Sequence, residues 1–355
     1  MNAMTTLAPS PRIAAAALRA FASQLLQTAG LAADRAGDVA DILVAADLMG
    51  HDTHGLNLLP AYLEHLGNGT MAATGEPEVV ADRPATLTWD GRQLPGQWLV
   101  LRALDAAIPR ARIHGTATVA IRNAHHIGSL SAYLQRATDQ GLVMLLHSSA
   151  PGGGSVAPFG GSTGLFSPSP MSMGCPTEGL PILVDISTSI TTNNMVVRLQ
   201  KQGRRLPRPW LLDGQGRPTD DPAVIGAGGT LMPLGGEDAG HKGYGLALMV
   251  EALTAGLVDR GRHQPGFRFN NTVFLQILDP QAFGGLPGLR AQMERIAEAC
   301  RTNPPRPGGQ PVRLPGEAAQ KLAAQQERDG VVLAPGILDA LRPWAEKFAV
   351  SVPGC

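Results

Sequence analysis

Thr116-Ala117-Thr118-Val119-Ala120-Ile121-Arg122 runs directly into Asn123-Ala124-His125-His126-Ile127-Gly128, and this stretch decides how the chain reads. Two threonines, Val119 and Ile121 are β-branched, so the first half favours an extended strand. The strand delivers a polar knot with two adjacent histidines, closed by a glycine. Downstream, residues 130–140 have a helical pattern and 142–147 a strand pattern. Upstream, residues 99–113 read as a helix and 85–89 as a strand that stops at the turn pair Asp90-Gly91. Further strands are expected at 182–186 and 272–278, with a helix marked by Leu246, Met249, Val250, Leu253 and Leu257. Strands and helices interleave, which predicts an α/β domain.

The two ends of the chain read differently. Leu18, Phe21, Leu25 and Leu26 recur at helical spacing before Gly30, with Ser10-Pro11 as the expected cap and first helical residue. Val39, Ile42, Leu43 and Ala46 form a second apolar face before Gly50. A short helix from Pro60 carries Tyr62, Leu63 and Leu66. Residues 281–355 are again helical in pattern, broken by a Pro/Gly loop at 303–311. The expected layout is a helical part at 1–76, an α/β domain at 77–235, and a C-terminal part at 236–355 that packs back on the first helices. The predicted fold class is therefore α/β (α+β), with the α/β segment inserted in a helical domain built from both chain ends.

At 355 residues the chain exceeds one ordinary core. Its net charge of +0 and lack of basic runs argue against nucleic acid and anionic membrane as partners. No apolar stretch approaches a membrane span and no secretory leader is evident. Cys175, Cys300 and Cys355 are odd in number and far apart, which fits a reducing cytoplasm and no disulfide frame.

Chemistry-bearing residues gather in four places. His54 stands in Asp52-Thr53-His54-Gly55 just before a helix. It is either a turn residue or a general acid, since imidazole titrates near neutrality. His125 and His126 are neighbours whose side chains diverge, so at most one faces a given site. Lys242, in Gly240-His241-Lys242-Gly243-Tyr244-Gly245, is expected at a helix N-terminus, where glycines and a cation suit an anion. Asp185-Ile186-Ser187-Thr188-Ser189 ends a strand and suits ribose hydroxyls, or a helix cap equally well. Metal-ligand spacings are missing, so no metal is expected. Neither a GxGxxG after a strand nor a P-loop is present, so a Rossmann site is not supported.

Taken in order, these motifs and others resemble the malate/L-lactate dehydrogenase family that lacks a Rossmann fold. The markers are Ala46-Asp47-Leu48 through Thr53-His54-Gly55 and Tyr62; Gly96-Gln97; Arg122 to Gly128; Pro158-Phe159-Gly160-Gly161; Asp185 to Ser189; Gly216-Arg217-Pro218-Thr219-Asp220-Asp221-Pro222; Lys242-Gly243-Tyr244-Gly245; and Arg313-Leu314-Pro315-Gly316-Glu317. The resemblance spans nearly the whole chain. It implies a homodimer using NAD or NADP held in a non-Rossmann domain with a mostly antiparallel or mixed sheet, with hydride passing between the nicotinamide and C2 of a small 2-hydroxy or 2-oxo acid or cyclic imino acid. It implies His54 and His125 as proton donor/acceptor or substrate ligand. Thr53, Leu58 and Tyr62 fall at the substrate, and His126, Ser149, Asp185, Ile186, Ser187, Lys242, Gly316 and Glu317 at the cofactor.

The chain departs from the family pattern where it matters for substrate. The family reads Ser-His-Gly-x-x-Arg, and Leu58 stands in the arginine's place. That removes a bidentate clamp for a carboxylate. The departure implies a less acidic or larger substrate, or a different cation. The alternative reading is a cofactor-binding relative without turnover, acting as a sensor or structural partner.

Overall fold

The computed structural model of the protein describes residues 12–264 and 269–354. The chain divides into two compact units. One is formed by the chain up to Gly69 together with the chain from Ala318 onward, and the other is Thr70–Glu317.

In the first unit, α1 (Ala15–Thr28), α2 (Ala33–Leu48) and α3 (Leu59–Gly67) bury the apolar stripes read from the sequence. Leu18, Leu25, Leu26, Ile42 and Leu43 are fully buried. The helix begins at Ala15, and Ser10-Pro11 lie outside the described residues. The C-terminal helices Glu317–Asp329 and Ile337–Phe348 complete this core, the latter packing on α1 and α3. A two-stranded antiparallel pair, Arg12–Ile13 with Val331–Val332, joins the ends. Gln326 is a buried cross-brace. Its Nε2 donates to the carbonyls of Asp47 (3.1 Å) and Leu48 (3.0 Å), and its Oε1 accepts from the Val332 amide (2.8 Å).

The second unit is organised by a seven-stranded mixed sheet. Its strands are β1 (Glu78–Arg83), β2 (Thr86–Asp90), β3 (Thr116–Ala124), β4 (Val143–Ser149), β5 (Met171–Cys175), β6 (Ile182–Ile186) and β7 (Asn271–Leu278). Their order is β1-β2-β3-β7-β4-β5-β6. Only β2 and β3 run parallel, so the sheet is mostly antiparallel, as the family resemblance implies. β3 and β7 are central, which explains their apolar, β-branched character. The helix α4 (Gly96–His114) packs on β3 and β7, and α5 (Ser131–Thr138) packs on β4, β5 and β6. A satellite core of Val156, Phe166, Val196, Leu199, Leu206, Leu211, Leu231 and Ala247 holds α6 (Asn193–Lys201) and α7 (Gly236–Glu251). α7 starts ten residues ahead of the Leu246 stripe and bends at Ala239, where the backbone is not helical. A π-turn, Ala252–Gly256, continues it.

Candidate functional site

In the first unit, Thr53, His54, Leu58 and Tyr62 lie on one short segment between α2 and α3. The turn before Leu56 is fixed from below by Asp47. That residue is i+4 from Leu43 on the apolar face of α2 and is only 4% exposed. Its Oδ2 accepts the Leu56 amide at 2.8 Å, and its Oδ1 is buried with no hydrogen-bond partner. Burial raises the Asp47 carboxyl to about 7. The Leu56 amide opposes that shift, and the charge of Asp52 adds to it. A side chain on Gly55 would place its Cβ 2.2 Å from Asp47 Oδ1, so this glycine is required by contact. Above it, the Thr53 hydroxyl lies 2.9 Å from His54 Nδ1, and the His54 amide donates to the His51 carbonyl. His54 is half-buried, whereas Leu58 and Tyr62 are buried.

In the second unit, Asn123, one residue before the end of β3, has a left-handed φ of 52°, a conformation asparagine tolerates better than most residues. Asp90 Oδ2 accepts from Asn123 Nδ2 and Arg122 Nε, both at 2.9 Å. The turn delivers His125, which is fully buried, and His126, which is half-buried. Phe269 stacks on His125 at 5.6 Å between centroids and meets His126 edge-on at 5.5 Å. Gly96, the first residue of α4, lies under the histidines. A Cβ there would sit 2.2 Å from the His125 carbonyl oxygen.

The other expected residues gather near the end of β6. The Asp185 carboxylate accepts the Ser131 amide at 2.8 Å, capping the N-terminus of α5, where the dipole favours an acid. Ile186 is 41% exposed, and the Ser187 hydroxyl donates to the Ser189 carbonyl. Gly316 rests on Leu183 in the same strand, and Glu317 accepts the Leu314 amide. Thr188 links this edge to Lys242, because its carbonyl accepts the Leu234 amide and Leu234 is the neighbour that Gly243 abuts. Lys242 is exposed, in the first turn beyond the Ala239 bend. Ser149 lies at the end of β4. It is buried, and its hydroxyl donates to Glu251, which also pairs with Arg262 at 2.7 Å. Arg262 in turn donates to the Gly153 carbonyl.

The structure thus gathers the expected residues into four neighbourhoods: the Thr53–Tyr62 segment, the His125-His126 turn, the β6 edge with Lys242 and Gly316, and Ser149 at the end of β4 with Glu251. Asp47, Asp90, Gly96, Glu251, Arg262 and Phe269 support them without having been assigned a role from sequence. For Asp47 a signal was present, namely an acid on an otherwise apolar helix stripe. Among the described residues, no group of three or more His, Cys, Asp or Glu side chains is placed to hold a metal, and no helix is long and apolar enough to cross a membrane.

Comparison with known proteins gives this geometry a lineage. The malate/L-lactate dehydrogenase family profile matches residues 13–342. An L-lactate dehydrogenase of Cupriavidus necator is 32% identical over 96% of this chain and 99% of its own. A (2R)-3-sulfolactate dehydrogenase (NADP(+)) of Chromohalobacter salexigens is 32% identical over 97% and 99%. The crystal structure of malate dehydrogenase from Entamoeba histolytica superposes with a TM-score of 0.91 at 23% identity, covering 97% of this chain and 99% of that one, which shows the shared fold. The chain belongs to the malate/L-lactate dehydrogenase family and is an oxidoreductase acting on CH–OH groups.

Proposed function

We propose that the enzyme transfers hydride between NADH or NADPH and C2 of a small 2-hydroxy or 2-oxo acid, or a cyclic imino acid, with His54 or His125 as the proton donor/acceptor. The contact of Thr53 with His54 carries this reading. The Thr53 hydroxyl lies 2.9 Å from His54 Nδ1, and in the tautomer that carries the proton on Nδ1 the neutral ring acts as a base through Nε2. The protonated ring returns the proton from the same nitrogen, so one orientation serves both directions. His125, fixed by Phe269 and by the turn at Asn123, is the second candidate for this role.

The residues at the β6 edge fit a dinucleotide by their chemistry. Ile186 offers an exposed apolar surface to a ring, and Asp185 and Ser187 beside it offer oxygens to ribose hydroxyls. Lys242 supplies a cation for a phosphate, with His126, Gly316 and Glu317 in supporting positions. Ser149 would act through the chain's own Glu251. The cofactor, when bound, supplies the carbon that gives and takes hydride. For a 2′-phosphate, Lys201 and Arg204 are the candidate partners, because Arg205 is engaged by Asp220 at 2.7 Å.

Leu58 is 8% exposed where the family pattern has arginine, which favours substrates with a less acidic or bulkier end. We place the enzyme in the cytoplasm as a homodimer, with exposed Leu248, Met249 and Leu257 as apolar surface for a second copy. The test is a reductase screen of 2-oxo acids and cyclic imino acids with NADH and with NADPH, using wild type, His54→Gln and His125→Gln. Turnover lost in one histidine variant with nucleotide affinity retained is the expected result. Nucleotide binding without turnover across the panel would favour a cofactor-binding protein that has lost catalysis.

A further inference from the structure

We infer that Asp47 is a positioning residue: its buried carboxyl sets the backbone of the Thr53–Leu56 turn and thereby the orientation of the His54 ring. This deepens the reading above and rests on His54 as the proton-transfer group.

Three observations converge on the carboxyl. Oδ2 holds the Leu56 amide at 2.8 Å, which fixes the chain two residues beyond His54. Oδ1 fills the space that any side chain at position 55 would need, with its centre 2.2 Å from an ideal Cβ. The carboxyl is buried in α2, whose C-terminal carbonyls at Asp47 and Leu48 are braced by Gln326. The acid therefore stands on a rigid base, and the turn is shaped to it. A buried carboxyl with one oxygen lacking a hydrogen-bond partner is expensive to keep for packing alone. Leucine or methionine would fill the volume at lower cost, but neither accepts the Leu56 amide. The carboxyl's hydrogen bond is to the Leu56 backbone, so its action on His54 is through the turn.

The test uses the full-length chain labelled at histidine ring nitrogens, with the His54 signal identified by its loss in His54→Gln. Asp47→Asn keeps an acceptor for Leu56 and the same shape, and is expected to preserve the His54 tautomer pattern. Asp47→Ala is expected to change it, while the His114 signal stays fixed as an internal control. Gly55→Ala alone is expected to disturb His54 as Asp47→Ala does. Adding Gly55→Ala to Asp47→Ala should cause little more, because the space is then vacant. With the best substrate of the screen, Asp47→Ala is expected to lower kcat about a hundredfold with the KM for nucleotide unchanged, as misplacement of a reacting group does. An unaltered His54 signature in folded Asp47→Ala, or additive effects in the double variant, would overturn the proposal. If Asp47→Ala does not fold, Gly55→Ala against Asp47→Asn gives the same decision. Full turnover in His54→Gln would instead refute the role of His54 and leave the ring measurements to judge Asp47 by themselves.

Discussion

Replacing Asp47 by asparagine should change how stability depends on pH. Burial lifts the carboxyl from its ordinary 3.8 to about 7 in the fold, with Asp52 contributing and the Leu56 amide opposing. Between those two values the folded chain binds a proton that the unfolded chain has released. Stability therefore falls as pH rises from about 4 to about 7, and the penalty is complete above that. At about 1.4 kcal/mol per pH unit, the gap corresponds to a ceiling of about 4 kcal/mol. Water reaching Asp47 during local opening lowers the figure, so a loss of about 2–4 kcal/mol is expected. Asparagine cannot ionise and keeps an acceptor for Leu56, so its stability should lack this component. The assay is urea unfolding of both proteins at about pH 5 and about pH 8, with the histidines contributing equally to each. Only the two pH units between about 5 and about 7 fall inside this interval, so the wild type should lose about 1–3 kcal/mol relative to the variant across it. Parallel curves for the two proteins would refute the assignment of a strongly raised carboxyl to position 47.

Three further outcomes follow from contacts described above. Gly96→Ala drives a methyl into the His125 carbonyl and should cost roughly 2–4 kcal/mol, read as a lower urea midpoint together with loss of turnover. Leu58→Arg should raise kcat/KM for 2-oxo acids bearing a second carboxylate about tenfold over uncharged ones, since a charge-assisted pair contributes roughly 1.5–3 kcal/mol; an unchanged substrate profile would show that position 58 does not face substrate. Arg262→Met leaves Glu251 half-hidden without its cation and frees the Gly153 carbonyl, so amide exchange at residues 151–154 should accelerate by about tenfold or more.

Much of the fold is legible in the sequence because local pattern and tertiary demand coincide there. α1, α2, β3 and β7 carry strong periodic signals, and each is buried on the face those signals mark. β1 was not foreseen, because Glu78-Val79-Val80-Ala81-Asp82-Arg83 is exposed throughout and is held by pairing with β2 at the sheet edge. β5, Met171-Ser172-Met173-Gly174-Cys175, has little strand propensity of its own. It forms because β4 and β6 flank it and Gly174 lets α5 approach. The start of α7 was hidden by glycines that look like loop, yet Gly235 provides a left-handed cap and the helix bends at Ala239. At the candidate site, the histidines and the β6 edge are visible as polar islands in apolar pattern. Their supports are less so: Asp90 reads only as a turn residue and Gly96 only as a motif glycine, while Phe269 and Arg262 are defined by contacts with residues distant in the chain.

The unit that bears His54 is assembled from segments on either side of Thr70–Glu317, which imposes an order on biosynthesis. α1 to α3 leave the ribosome before Thr70–Glu317, but the strand Val331–Val332 and the brace Gln326 that complete their core are made after it. Thr70–Glu317 has all its strands before then, so the middle of the chain can fold while the first helices still wait with apolar stripes uncovered. A ribosome stalled before residue 318 would thus release a chain with a formed sheet and unprotected helices, a natural substrate for chaperones and proteases.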